Sequence, residues 1–439
     1  MAISMTFDPE NSEFWGRQGR KLAQRNLLIS SFSLMLAIAV WMSWSVLVLW
    51  LPQVGFRLDA TQLFMLTAAP ACSGAVLRLI YAVAVTRMDG RMFTVLSTLS
   101  LLLPALAMGW VVQDTATPFV LLLVVALLAG LGGGSFASAM AYTSQMFPGR
   151  SQGAALGMTA GLGNLGIALL QGVGPWVMQR PLFGVLSGHP LSMMHQGVWL
   201  QNLGWIWVLP IVVVVVLAEL GMDDIQPAPI TMRDIRQAFR YGENAWLAWL
   251  YLGSFGSYIG FSAVFGLLAK NQFPHDVLGS YLVLGPMLGA LCMPLGGRMA
   301  DRAGGSRLSF YLFMLIMLAV SGLFLSLPSG GDGSGSVDGF VVSFCILFLL
   351  TGLAHGVVLE MLHAVCRQHQ GSDVARERAV LLGISSALGA VGGFIIPLML
   401  ASSLALWGGA QLALFGFLLF YATCWVASWW FWRMRDVVL

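Results

Sequence analysis

Long apolar runs separated by short polar segments make up almost the whole chain. Twelve of these runs are long enough for a membrane-spanning helix, which needs about 20 predominantly apolar residues. The pattern therefore predicts an all-α membrane protein with twelve transmembrane helices. We number them spans 1 to 12, at residues 28–51, 61–86, 92–112, 118–147, 152–178, 202–221, 244–269, 277–299, 308–327, 339–366, 379–402 and 407–432.

The composition excludes several other classes of protein. Hydrophobic residues make up 58% of the 439 residues and charged residues only 9%, whereas soluble domains average about 25% charged residues. Such a surface cannot face water on all sides, so a soluble enzyme, a nucleic-acid-binding protein and a disordered chain are excluded. The five cysteines are scattered without metal-binding spacing. We expect no metal, no cofactor and no nucleic-acid partner.

The distribution of basic residues predicts the orientation in the membrane. With the N-terminus in the cytoplasm, eighteen Lys and Arg side chains fall on the cytoplasmic side, and Arg57, Arg180 and Lys270 fall on the other. Cytoplasmic loops carry an excess of Lys and Arg, so both termini are expected inside. The basic N-terminal segment lacks the small-residue cleavage site of a signal peptide. We therefore expect an uncleaved, multi-pass protein of the inner (plasma) membrane.

A charge-rich segment interrupts the apolar pattern in the middle of the chain. Residues 222–243 contain two prolines and seven charged residues, which is typical of a linker. We expect four parts: a cytoplasmic N-terminal segment 1–27, a six-helix half 28–221, the cytoplasmic linker 222–243, and a second six-helix half 244–439.

The two halves resemble each other, as expected for an internal repeat. A constant shift of 226 residues aligns Gly157, Thr159, Leu162, Gly163 and Gly166 of span 5 with Gly383, Ser385, Leu388, Gly389 and Gly392 of span 11. Two related halves with a central linker are the plan of the major facilitator superfamily, whose substrate lies between the halves at mid-membrane depth. The loop at 296–305, with Asp301 and Arg302, resembles that superfamily's signature loop and is expected to act in conformational change.

Two charged residues lie within spans rather than at their ends, Arg78 in span 2 and Glu360 in span 10. A charge at mid-bilayer costs at least about 2.5–3.5 kcal/mol and by default marks a functional site. Arg78 precedes Arg87 by nine residues, about 13 Å of helix, which places it near the midplane. Its planar guanidinium suits a small planar oxyanion. The alternative is a structural arginine paired with backbone carbonyls or with Glu360.

Glu360 has two interpretations of its own. It either handles a proton or gates the pathway, or it forms a structural salt bridge near the cytoplasmic end, since Arg367 follows seven residues later. His355 and His363 share its span, but their spacings do not place all three side chains on one helical face. A metal site there is not expected.

Spans 5 and 11 carry small polar residues among their glycines. Small residues let membrane helices approach closely, so tight packing alone explains this pattern. The other interpretation is that these helices rock past each other while lining a substrate pathway. Phe136, in the glycine-rich part of span 4, either stacks on a planar anion or is a core residue. The second interpretation assigns to the substrate site Thr159, Gly161, Gly163, Asn164, Ser385, Ser386 and Gly389.

The chain resembles the nitrate/nitrite porter family of the major facilitator superfamily. The likeness runs nearly end to end, and the paired glycine motifs of spans 5 and 11 resemble the family's two nitrate signatures. It includes Phe14-Trp15 and the segments 51–56 (LPQVGF), 62–67 (QLFMLT), 73–78 (SGAVLR), 113–118 (QDTATP) and 136–138 (FAS). The resemblance implies a secondary active transporter of nitrate or nitrite that works by alternating access.

The resemblance also implies roles for individual residues. Arg78 corresponds to the family's arginine in the first half, Tyr251 in span 7 to a polar contact, Phe136 to a stacking wall, and Asn164 to a neighbour in the signature helix. The expected partners are a small inorganic anion (nitrate or nitrite), protons and the lipid bilayer, and the protein is expected to be a monomer.

The second half of the predicted site departs from the family. The family has a second arginine in span 8, where this chain has Met293, and a phenylalanine in span 10, where Leu359 and Glu360 stand. Two arginines suit the exchange of one anion for another, whereas one arginine near a glutamate suits uptake of an anion with a proton. The alternative function is a facilitator for a different small anion or an organic solute, coupled to protons through Glu360.

Overall fold

The computed structural model describes residues 7–193, 196–225, 229–231, 234, 236, 238, 241–274, 279–328, 335–366 and 374–436. Parts of the predicted linker 222–243 therefore lie outside the described residues, as does Arg367. Within these ranges the chain is almost entirely helical, and the prediction of an all-α membrane protein is confirmed.

All twelve predicted spans are present as helices of sufficient length and apolarity. Their bounds are Ser12–Val54, Ala60–Ala84, Gly90–Val111, Phe119–Met146, Gly149–Met178, Asn202–Gly221, Gly242–Gln272, Tyr281–Ala303, Gly305–Ser326, Val337–Cys366, Arg376–Trp407 and Gln411–Arg433. Span 1 begins earlier than its apolar run, because residues 12–27 of the predicted N-terminal segment continue the same helix.

Local sequence explains where several spans begin and end. Asp59 caps span 2 by accepting a hydrogen bond from the backbone N–H of Gln62 at 2.7 Å, and the Gln62 side chain accepts one from the backbone of Asp59 in return. Gly304, with φ of 82°, separates spans 8 and 9, and Gly408, with φ of 72°, separates spans 11 and 12. Glycine adopts these left-handed conformations without steric cost.

Two local features were not predicted. An antiparallel hairpin pairs Leu191–Met193 with Gln196–Val198 in the loop between spans 5 and 6. Within span 7, a π-helical turn occupies Leu252–Gly256, directly after Tyr251. Such turns shift the faces of a helix and are frequent at functional sites.

The packing of the spans repeats after six helices. Span 1 packs on span 5 as span 7 packs on span 11, and span 2 packs on span 4 as span 8 packs on span 10. The two halves meet through related pairs as well, span 5 with span 8 and span 11 with span 2. The two predicted pseudo-symmetric six-helix halves are thus confirmed by the contacts.

Burial separates an inner set of spans from an outer set. In the most apolar windows of spans 1 and 7, 83% and 89% of the residues are buried, whereas spans 3, 6, 9 and 12, and also span 8, reach at most 44%. The outer spans expose large apolar side chains such as Leu103, Leu209 and Leu318. A bilayer covers such side chains, so the innermost helices lie around the interface between the halves.

Candidate substrate-binding site

Arg78 lies at the interface between the two halves and is completely buried. Its Nε donates a hydrogen bond to the carbonyl oxygen of Gly133 in span 4 at 2.9 Å, and its Nη1 donates to the carbonyl oxygen of Ser386 in span 11 at 2.7 Å. Pairing with backbone carbonyls, the structural alternative of the sequence analysis, therefore holds for two of the three guanidinium nitrogens.

Three aromatic rings surround the guanidinium. The Cζ atom of Arg78 lies 4.7 Å from the ring centre of Phe136, 4.9 Å from that of Phe255 and 5.1 Å from that of Trp41. The Trp41 ring is itself fixed, because its Nε1 donates to the carbonyl oxygen of Pro70 at 2.8 Å. Cation–π contacts of this kind stabilise a buried guanidinium and hold it in one orientation.

Tyr251 and His355 complete the cluster, and both are fully buried. The His355 ring lies 4.9 Å from the Tyr251 ring, 4.7 Å from the Phe255 ring and 6.1 Å from the Phe136 ring, measured between ring centres. A cation, a phenol and an imidazole thus share one buried pocket of aromatic side chains.

Several polar atoms of this cluster, and the hydroxyl of Ser385 beside Ser386 in span 11, lack a hydrogen-bond partner among the described residues. They are Nη2 of Arg78, Oη of Tyr251, both ring nitrogens of His355 and Oγ of Ser385, and all are buried. Buried polar groups in proteins almost always have partners. These atoms therefore have unused capacity to bind a small polar ligand.

Met293 occupies the position where the family has its second arginine, and it faces the predicted site residue Asn164. The Nδ2 atom of Asn164 lies 3.5 Å from the sulfur of Met293 and 2.8 Å from the carbonyl oxygen of Ala160. A methyl group added at Gly356 would lie 2.1 Å from the carbonyl oxygen of Met293. The backbone of span 8 at Met293 thus lies directly against span 10 at Gly356, the residue that follows His355.

The glycines predicted for the site lie mainly at contacts between helices. A methyl group added at Gly161 would lie 2.6 Å from the carbonyl oxygen of Ala290 in span 8, and one added at Gly163 would lie 2.5 Å from the side chain of Leu34 in span 1. Span 5 is thereby inserted between spans 1 and 8 at van der Waals distance.

Thr159 of span 5 and Gly389 of span 11, which were also predicted for the site, have different neighbours. The Thr159 hydroxyl pairs with that of Thr143 in span 4 at 3.0 Å, within the N-terminal half. A methyl group added at Gly389 would lie 2.8 Å from the Tyr251 ring. Gly389 therefore touches the cluster around Arg78, whereas Thr159 pairs with another residue.

Glu360 and Asp301 lie at the end of the bundle where span 1 begins, which is predicted to be cytoplasmic. The Asp301 carboxylate accepts a hydrogen bond from the backbone N–H of Ala154 at 3.0 Å, joining span 8 to span 5. Glu360 lies beside Gly153 in the same layer, and Arg302 is exposed. The structure therefore brings Glu360 together with the signature loop.

Further contacts between the halves lie above and below the site. At the predicted cytoplasmic end, the Arg378 guanidinium donates to the carbonyl oxygen of Ser144 in span 4. At the opposite end, Lys270 Nζ donates to the carbonyl oxygen of Leu49 at 3.0 Å, and Gln171 Nε2 donates to that of Ser262 at 3.3 Å. With Arg78 fully buried between these layers, the structure corresponds to an occluded state.

Trp41, Phe255 and His355 belong to the site but were missed by sequence reasoning. His355 was considered only as a metal ligand, and no group of three His, Cys, Asp or Glu side chains forms a metal site within the described ranges. A signal was available for Phe255, because it follows Tyr251 by four residues and so shares its helical face. Trp41 offered no such signal in a span rich in apolar residues.

Comparison with known proteins identifies the family. The profile of the Major Facilitator Superfamily matches residues 27–397. The nitrate/nitrite transporter NarU of Salmonella typhimurium is 40% identical over 436 residues, which cover 96% of this chain and 94% of that protein. The probable nitrate/nitrite antiporter NarK2 of Thermus thermophilus is 34% identical over 440 residues, covering 98% and 96% of the two chains.

Solved structures of more distant proteins share the fold. The xylose transporter XylE from Escherichia coli, in a partially occluded inward-open conformation, superposes with a TM-score of 0.67 over 94% of this chain and 98% of its own, at 11% sequence identity. At this identity the likeness shows the fold alone.

The twelve spans, their repeated packing and the profile match define the protein as a secondary transporter of the major facilitator class. Within that class, the chain belongs to the nitrate/nitrite porter family. It is a multi-pass inner-membrane protein.

Proposed function

We propose that the protein carries nitrate and nitrite across the inner membrane by alternating access of a site centred on Arg78. The observation that carries this proposal is the Arg78 guanidinium itself. It is fully buried between the halves, contacts backbone from both, and keeps Nη2 without a partner among the described residues. A buried charge of this kind is retained for function rather than for stability.

The chemistry of the site suits a small planar anion. Nitrate and nitrite spread one negative charge over oxygens in a plane, which match the in-plane donors of a guanidinium. The Phe136 and Phe255 rings, which lie 4.5 Å apart between ring centres, shield the site from water. The unpartnered hydroxyl groups of Tyr251 and Ser385 provide further hydrogen bonds, which compensate the anion for its lost hydration.

Alternating access requires that the contacts at the two ends of the site break in turn. Opening toward the cytoplasm separates Asp301 from Ala154 and Arg378 from Ser144, while opening to the outside separates Lys270 from Leu49. The glycine contacts between spans 5 and 8 allow the halves to rock, because small residues leave smooth helix surfaces.

Glu360 acts as a gating residue in this proposal. It lies in the layer of Asp301 and Gly153 rather than in the cluster around Arg78. A carboxylate there changes the strength of the contact between the halves and, through it, the rate at which the site opens.

The organisation of the chain in the membrane belongs to the same proposal. Both termini lie in the cytoplasm, as the excess of basic residues on that side predicts. The halves 28–221 and 244–439 move as units joined by the linker 222–243. The protein works as a monomer and as a transporter rather than an enzyme, with no cofactor.

One observation favours a second candidate, a facilitator for another small anion. Met293 removes the second cation that the family uses, and its thioether offers Asn164 only a weak contact. A site with one arginine discriminates less strongly by charge, so a different monovalent anion or a weakly charged organic solute remains the alternative substrate.

Uptake by purified protein in liposomes tests both candidates. Labelled nitrate should enter the liposomes, and unlabelled nitrate and nitrite should compete for entry more strongly than chloride, sulfate or formate. Labelled nitrate that enters no faster than into protein-free liposomes, while labelled formate or chloride enters faster than into those liposomes, would overturn the proposal and favour the second candidate.

A further inference from the structure

We propose that His355 is the second cation of the anion site and that it takes up one proton when the anion binds. This inference rests on the proposed function, because it concerns the same anion and the same site. It gives the protein a proton site in the cluster around Arg78, at a residue distinct from Glu360.

The position of His355 is the first observation that supports this inference. The imidazole and the Arg78 guanidinium lie against the same two rings, those of Phe136 and Phe255. Neither ring nitrogen of His355 has a hydrogen-bond partner among the described residues, although the side chain is fully buried. An imidazole in the core normally has at least one partner, so an unpartnered one that packs on the same rings as a buried cation points to a ligand at this site.

The residue at position 293 is the second observation that supports this inference. Span 8 presents the Met293 thioether to Asn164, so at this position it brings no positive charge to the site. The backbone of Met293 contacts Gly356, the neighbour of His355. The imidazole is therefore located next to this part of span 8, where it can provide a positive charge that Met293 does not.

The ionisable neighbours of His355 determine when it holds a proton. Among the described residues, those that face it from other helices are Arg78 of span 2 and Tyr251 of span 7; Glu360 and His363 follow on its own helix. Two cations in one buried pocket repel each other, and an anion bound between them offsets this repulsion. The empty site therefore favours neutral His355, and the loaded site favours the imidazolium.

The charge balance explains how the carrier completes its cycle. The empty site holds one positive charge, on Arg78. Binding of nitrate together with one proton, which forms an N–H bond on His355, leaves the site with the same net charge. Both the empty and the loaded carrier then cross the membrane with equal charge, which permits net uptake of an anion with a proton. Two arginines would leave the empty site doubly charged and favour exchange.

Calorimetric titration of the purified full-length protein with sodium nitrate tests this inference. Titrations in buffers of different ionisation enthalpy give the number of protons taken up per nitrate. Across about pH 5 to pH 8 the wild-type protein should take up as much as one proton per nitrate, and its Kd should rise by up to about tenfold per pH unit as the solution becomes more alkaline. His355→Gln should take up no proton, and its Kd should be the same at every pH. At acidic pH that Kd should therefore be higher than the Kd of the wild type.

Two further variants serve as control and rescue. His189 lies exposed in an outer loop, so His189→Gln should retain the wild-type proton uptake and Kd. The double variant His355→Gln/Met293→Arg supplies a permanent second cation, and it should bind nitrate tightly at every pH without taking up a proton. This rescue also shows that His355→Gln has not simply unfolded the protein.

The outcomes separate the inference from the proposed function. Nitrate binding by the wild type with no proton uptake and a constant Kd would overturn the role of His355 and leave the proposed function intact. Proton uptake that persists in His355→Gln would overturn it as well, and loss of that uptake in Glu360→Gln alone would assign the proton to Glu360. Failure of the wild type to bind nitrate at any pH would contradict the proposed function and, with it, this inference.

Discussion

The guanidinium of Arg78 and the carbonyl oxygen of Ser386 are joined by a 2.7 Å hydrogen bond that connects span 2 of one half to span 11 of the other. Ser386 belongs to the glycine-rich motif that repeats the motif of span 5. The proposed anion-binding residue is therefore also a contact between the halves. Binding at Arg78 and movement of the halves are coupled through this one side chain.

Replacing Phe136 by leucine should weaken nitrate binding while leaving the protein folded. The Phe136 ring lies 4.7 Å from Cζ of Arg78 and helps to orient the guanidinium. A cation–π contact contributes about 0.5–2 kcal/mol, so we expect the Kd for nitrate to rise between twofold and thirtyfold. Calorimetric titration of Phe136→Leu measures this change.

Phe265→Leu is the matched control for Phe136→Leu. Phe265 is equally buried but packs on Phe344, with ring centres 4.5 Å apart, in an aromatic cluster of the second half. The Phe265→Leu variant should have a lower melting temperature than the wild type, as Phe136→Leu does, but an unchanged Kd for nitrate. An equal loss of affinity in both variants would mean that Phe136 acts through general packing.

Replacing Gly161 by alanine should slow transport more than it weakens binding. The added methyl group would lie 2.6 Å from the carbonyl oxygen of Ala290 and force span 5 away from span 8. The occluded state depends on that contact, so we expect the uptake rate in liposomes to fall at least tenfold, with the Kd for nitrate changed less than threefold.

Gly172→Ala provides the comparison on the same helix. Its added methyl group would lie 3.7 Å from the Val283 side chain, an ordinary van der Waals distance. This variant should transport nitrate at the wild-type rate. Equal uptake rates for Gly161→Ala and Gly172→Ala would refute the role of the close contact between spans 5 and 8.

Replacing Glu360 by glutamine should change the rate of transport without changing the pH dependence of binding. Glu360 lies in the layer of Gly153 and Asp301, and five residues of helix, about 7.5 Å of rise, separate it from His355. We expect slower uptake of labelled nitrate with wild-type Kd values from about pH 6 to pH 8. A Kd that becomes independent of pH would instead make Glu360 the proton-binding residue.

Much of the fold could be predicted from the sequence, because the bilayer imposes a simple rule on it. A spanning helix must be apolar over a fixed length, so the twelve spans were found with ends within a few residues for most of them. Arg78 was found by the same rule, since a charge within a span is costly and rare. The hairpin at Leu191–Met193 was missed because a loop outside the bilayer carries no comparable constraint.

The composition of the site was harder to predict, because its members come from six different helices. Trp41 and Phe255 look like ordinary core residues in apolar spans, and only the crossing of their helices brings them to Arg78. His355 lies in the site because span 10 presents it to the face of span 7 that carries Tyr251. The spacing of residues along one span does not show which residues of other spans they will contact.

The contacts of the glycine motifs could not be predicted from the sequence either. Their repetition in spans 5 and 11 indicated a shared role, but not whether each glycine faces the pathway or a neighbouring helix. Gly161 and Gly163 contact spans 8 and 1, whereas Gly389 contacts Tyr251 in the site. The difference depends on which helix lies opposite each residue, which is a property of the assembled bundle.

Calorimetric titration of nitrate into Arg78→Lys tests the central claim most directly. Lysine keeps the charge but loses the planar fork that holds Gly133, Ser386 and the anion together. Loss of one or two charge-assisted hydrogen bonds, each contributing about 1.5–3 kcal/mol, should raise the Kd at least tenfold. Arg180→Lys, an exposed arginine that packs on Trp176 outside the site, should bind as the wild type does. Wild-type affinity for nitrate in Arg78→Lys would contradict the account.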